Sequence, residues 1–84
     1  MQQMVIRRPA DVGVALAEAR RVRGLSQAEL ADVAGVDRTY LARIEAGMST
    51  ILVQRVLRLL RRLGAELVVV LPAQQPVDPT AKNF

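Results

Sequence analysis

Eighty-four residues fit one domain and no second, and a chain this short buries only about 60 to 65% of its unfolded surface, so help from a second subunit is expected. The absence of Cys and His excludes disulfide staples, thiolate and imidazole catalysis and any Cys/His zinc site, and leaves no cofactor to expect. Hydrophobic residues at 51% and charged residues at 24% describe a chain that folds; a net charge of +4, with eleven Arg among twelve bases, suits nucleic acid, although a positive charge also serves solubility alone.

Residues 4–7 are β-like and bounded by Pro9, which predicts a short terminal strand. Over residues 10–23 the apolar Val12, Leu16 and Ala19 fall at helical steps and Gly24 follows as a cap, so the first helix is expected there. Ser26 followed by Glu29 has capping-box spacing, which starts a short second helix at Gln27 with Leu30, Val33 and Ala34 inward and Gly35 ending it. Val36 is expected to bury itself in the turn. Asp37 then caps a third helix from Arg38 to about Glu45, with Leu41 and Ile44 inward and Gly47 closing it.

Ser49 or Thr50 caps a fourth helix, whose Val53, Val56, Leu57, Leu60 and Leu63 form the predicted inner face opposite Gln54, Arg55, Arg58, Arg61 and Arg62. Those arginines read as a solvated face at 55 and 58; 61 and 62 are open. Gly64 ends the helix, and residues 66–71 form a β-prone apolar run stopped by Pro72, with burial expected on both faces. This run is the longest apolar stretch and is far too short to span a membrane, and the N-terminus lacks a signal peptide's pattern, so a cytoplasmic location is expected. The domain is thus expected over residues 1–71 and a flexible tail over 72–84, where Phe84 is either a partner-docking anchor or a residue without a role.

The informative stretch is 27–45: a short helix, a Gly-containing turn and a second short helix tied together by Leu30, Val36, Leu41 and Ile44. That is the helix-turn-helix pattern, in which the second helix enters the major groove while the N-terminus of the first points at phosphate. Ala31 is small where two helices cross closely, and Gly35 takes the left-handed backbone of the turn. Arg38 sits at the positive end of a helix dipole, a conflict that an anionic partner resolves.

The runs Leu25-Ser26-Gln27-Ala28-Glu29-Leu30-Ala31, Gly35-Val36 and Leu41-Ala42-Arg43-Ile44-Glu45-Ala46-Gly47 closely resemble the lambda-repressor-like (Cro and xenobiotic-response-element type) DNA-binding domain. The continuation through residues 56–64 into a C-terminal strand, and Val5-Ile6-Arg7 leading to Asp11-Val12-Gly13, resemble its HipB antitoxin branch. The resemblance implies a mainly α fold of four helices with short flanking strands. It also implies a dimeric repressor of an inverted-repeat operator, without catalysis, that neutralises a HipA-like serine/threonine kinase. A stand-alone regulator without a toxin, and a helix-turn-helix module that binds protein alone, are the competing readings.

By the same resemblance Gln27 contacts DNA, Arg38 and Thr39 face base edges, Tyr40, Ala42 and Arg43 lie further along the groove side, and Arg20 pairs with Glu45. Arg38 and Arg43 are about 140° apart around the helix, so one reads and the other anchors. Thr39 offers a methyl to thymine or a hydroxyl to phosphate; Tyr40 offers a hydroxyl to phosphate or a ring to the edge of the core. Strand 66–71 has two pairings open to it, with strand 4–7 of its own chain or with its twin across a two-fold axis. Leu67, Val68, Val69, Val70 and Leu71 are expected to form a dimerisation strand, because a sticky edge needs cover and the operator takes two recognition helices about 34 Å apart.

Overall fold

The computed structural model describes residues 2–48 and 50–73, so residues 74–84, with Phe84 and nearly all of the expected tail, lie outside the described residues. The chain runs β1 (Gln3–Ile6), α1 (Pro9–Val22), α2 (Gln27–Ala34), α3 (Arg38–Glu45), α4 (Ile51–Arg62) and β2 (Leu67–Val70). It is a mainly helical fold with one two-stranded antiparallel sheet.

Local signals set the helix ends. Pro9 opens α1 one residue earlier than expected, since a first-turn position needs no N–H, and the Asp11 carboxylate accepts from the N–H groups of Arg7 and Arg8 at 2.9 Å each. At the other end of α2, Gly35 adopts φ 69°, which lets the Val36 N–H donate to the Ala31 carbonyl at 3.0 Å and the Gly35 N–H to Asp32 at 3.3 Å. Gly24, Gly47 and Gly64 close the other three helices by the same pair of backbone bonds.

The core gathers Ile6, Ala15 and Leu57, with Met4, Val12, Val53 and Val69 packed against them, so that β1, α1, α4 and β2 share one apolar centre. Ala31 and Leu41 are buried where α2 and α3 meet the rest, and Leu30, Val33 and Ile44 are half-buried. Ala34, expected inward, is exposed, and so is Val36: the left-handed residue at Gly35 fixes the turn through backbone bonds and sends the Val36 side chain out.

Two further expectations change. On α4 only Leu57 is buried, with Val53 and Leu60 half-buried, while Val56 and Leu63 stand in solvent, because the helix rests on the core by one narrow edge. β2 pairs with β1 of its own chain in the register Gln3↔Val70, Met4↔Val69, Val5↔Val68 and Ile6↔Leu67. It is not buried on both faces: Val69 is half-buried, but Leu67, Val68 and Val70 are exposed, since no described residue covers the outer side of the two-stranded sheet. Leu71 is buried just past the strand and its N–H donates to the Gln2 carbonyl at 2.7 Å.

Candidate nucleic-acid interface

Both helices of the motif have ordered first turns. Ser26 Oγ accepts from the Glu29 N–H at 3.0 Å and the Glu29 carboxylate accepts from the Ser26 N–H at 2.9 Å, a reciprocal bond that also holds the Glu29 carboxyl below its ordinary pKa. Asp37 Oδ1 accepts from the N–H groups of Thr39 (2.8 Å) and Tyr40 (3.1 Å), which satisfies two orphan donors at the start of α3.

The orientation of α3 is set at its other end by Glu45. Arg20 of α1 donates from Nε to Oε2 at 2.8 Å and from Nη2 to Oε1 at 2.9 Å, a two-bond fork on one carboxylate. Gln27 of α2 adds Nε2 to Oε1 at 3.0 Å, and the remaining Arg20 amine, Nη1, donates to the Leu25 carbonyl at 2.8 Å. The Arg20 and Glu45 side chains are 11% and 6% exposed, so water competes little for them. The Arg20 guanidinium first, and Gln27 with it, lower the Glu45 pKa against the opposing effect of burial; Glu45 in turn raises that of Arg20.

Gly13 supplies a second clamp that no sequence signal for binding pointed to. It is buried in α1, and a Cβ there would collide with the Ile44 carbonyl oxygen and crowd that of Glu45. A glycine inside a helix of otherwise good helix formers was the available sign of a close approach.

With its inner side held in this way, α3 leaves Arg38, Thr39, Tyr40 and Arg43 exposed and Ala42 half-buried. Neither Arg38 nor Arg43 has an ion pair among the described residues. Gln27 is half-buried; one of its amide protons serves Glu45, a contact the sequence did not suggest, and the amide keeps a second N–H. Tyr40 and Arg43 border an apolar cleft of about 260 Å³ with Val12, Ile44 and Val53, so the ring lies beside the core. On α4 Arg55, Arg58, Arg61 and Arg62 are exposed, and Arg61 Nη1 donates to the Arg7 carbonyl at 2.8 Å. The described residues contain no cluster of acidic groups able to hold a metal, and no helix among them is long and apolar enough to cross a membrane.

A model of the helix-turn-helix family (HTH_3) matches residues 16–70, which span the end of α1 through β2 and include both partners of the Arg20–Glu45 fork. The chain belongs to the helix-turn-helix family. It is 36% identical over 70 residues to the uncharacterized HTH-type transcriptional regulator y4mF of Sinorhizobium fredii (strain NBRC 101917 / NGR234), covering 83% of this chain and 92% of that one. No solved structure matches the chain. A helix-turn-helix domain works by binding, and the chain is not an enzyme.

Proposed function

We propose that this helix-turn-helix protein is a sequence-specific transcriptional repressor of the cytoplasm that binds an inverted-repeat operator as a homodimer and serves as the antitoxin to a HipA-like serine/threonine kinase. One observation carries the DNA-binding part: Glu45 ties α3 to Arg20 of α1 and Gln27 of α2, while Arg38 and Arg43 stay exposed and have no ion pair among the described residues. A helix ordered before it meets the duplex loses little freedom on docking, and unpaired guanidinium groups match phosphate oxygens and guanine edges. In this reading Arg38 and Thr39 face base edges, Arg43 and Tyr40 hold backbone, Ala42 allows close approach, and Gln27 gives its second N–H to phosphate.

The homodimer rests on the two-fold symmetry of such operators and on β2, whose Leu67 to Leu71 region leaves one strand edge unpaired among the described residues. The kinase partner rests on the resemblance to the HipB branch. A second reading, a stand-alone regulator, is supported by the relative, which is named as a transcriptional regulator. A gel shift on the promoter upstream of the gene, run with and without the neighbouring gene's product, separates them. Specific retardation that the neighbour's product strengthens supports the antitoxin, and retardation indifferent to it supports the stand-alone regulator. No retardation at all defeats both.

A further inference from the structure

The fourth helix has three faces rather than two. Val53, Leu57 and Leu60 point to the core, Gln54, Arg55, Arg58, Arg61 and Arg62 form a polar arc, and between them runs a third face of Leu52, Val56, Leu59 and Leu63. These four repeat at steps of four, three and four residues, about 100° around the helix from the buried stripe, and are 70%, 42%, 63% and 79% exposed. The spacing is that of a coiled-coil seam, and a seam of this kind faces another helix in stable proteins, not water.

The four side chains leave on the order of 450 Å² of apolar surface in water, inside the ~300–600 Å² range of the largest patch on a monomer, which is often functional. A second copy brings as much again. Complete burial of both faces, with the aliphatic stems of Arg55 and Arg62 at the rim, removes about 1,000 Å² in total, the size a specific interface has to clear. By contrast β2 is a four-residue strand whose partner β1 already takes one edge, so pairing through its other edge alone offers few bonds.

We infer that a second copy of this chain seats on the Leu52-Val56-Leu59-Leu63 face of α4, helix against helix, and that this contact supplies most of the binding of the dimer. The inference builds on the dimeric repressor proposed above but moves the contact from the strand to the helix. It carries a signature in salt. α4 contains no acidic residue, and Arg55 and Arg62 flank the seam on one side, so two copies bring like charges together. Screening them tightens the dimer, whereas an acidic partner on the same face would be released by salt.

Sedimentation equilibrium of the full chain without DNA tests this. The expected results are a dimer that tightens several-fold between 50 and 500 mM NaCl, and Leu59→Glu and Leu63→Glu variants that dimerise at least tenfold more weakly with an unchanged far-ultraviolet circular dichroism spectrum. Val70→Lys on β2 should leave the dimer constant within about twofold. A chain that stays monomeric, a dimer that loosens with salt, or a Leu59→Glu variant that pairs like the parent overturns the inference. If the DNA-binding reading fails instead, the dimer is still seen by sedimentation while the promoter fragment stays unshifted.

Discussion

Gly13 of α1 lies so close to the Ile44 carbonyl oxygen of α3 that no side chain fits between them. The recognition helix is therefore seated on backbone at its C-terminal end, one residue before Glu45 takes the Arg20 fork. Steric contact and charge act on the same turn of α3, so a small change at either reaches the exposed surface that carries Arg38 and Arg43.

Gly13→Ala should consequently be far worse than its single methyl suggests. The obstacle is backbone rather than a flexible side chain, and overpacking of this kind costs about 3 kcal/mol. In a domain of this size the melting temperature should drop by about 12 °C or more. An unchanged melt would mean that α1 and α3 separate easily and that the contact sets nothing.

Arg20→Ala leaves the Glu45 carboxylate buried without its fork and should destabilise by about 3 kcal/mol, whereas Gln27→Ala, which removes one neutral donor, should cost about 1 kcal/mol. Chemical denaturation of the two variants and of Arg20→Ala with Glu45→Gln checks this. The double variant should recover part of the loss, because the uncompensated charge is gone.

Acid should release the same lock. The folded-state pKa of Glu45 lies below its ordinary value because Arg20 and Gln27 bind the charged form, so the unfolded chain takes up a proton first as pH falls. Its contribution is complete above the ordinary glutamate value of about 4.3 and is lost as pH drops through the folded value. Denaturation midpoints between pH 7 and 3 should fall more in the parent than in Glu45→Gln; parallel curves would sever the link.

Arg38→Ala and Arg43→Ala should differ in kind. A base-reading arginine removed costs about 1–3 kcal/mol on the operator and relaxes preference at one position per half-site, while a phosphate anchor removed weakens operator and random DNA alike and flattens the salt slope by about one unit. Gel shifts on both DNAs at several salt concentrations tell them apart, and equal losses on both DNAs for Arg38→Ala would make it an anchor.

Binding by the parent should fall about a thousandfold between 50 and 200 mM salt if six or more phosphates are neutralised per dimer. Fluorescence anisotropy on the upstream promoter measures this directly. A flat response would indicate contacts other than phosphate.

What could be read from residues alone was whatever is settled within a few positions along the chain. Helix ends belong here: Ser26 with Glu29, Asp37 before Thr39 and Tyr40, and the glycine after each helix satisfy orphan backbone groups locally, so their spacing in the text is their spacing in space. The helix-turn-helix at 27–45 follows, because it is made of such local pieces.

Which side of an element meets the core was a different matter. Val56 and Leu63 have the helical spacing of core residues, and Val68 and Val70 sit in an apolar strand, yet all four are exposed, because burial depends on whether another layer arrives to cover them. Gln27 on Glu45 was equally invisible, and the helical glycine at 13 signalled a close approach without naming Ile44 as its neighbour, since each contact joins residues that only folding brings together. Capping is a contest between a backbone group and its near neighbours; packing is decided by area and close approach between distant segments, and only the folded chain holds that information.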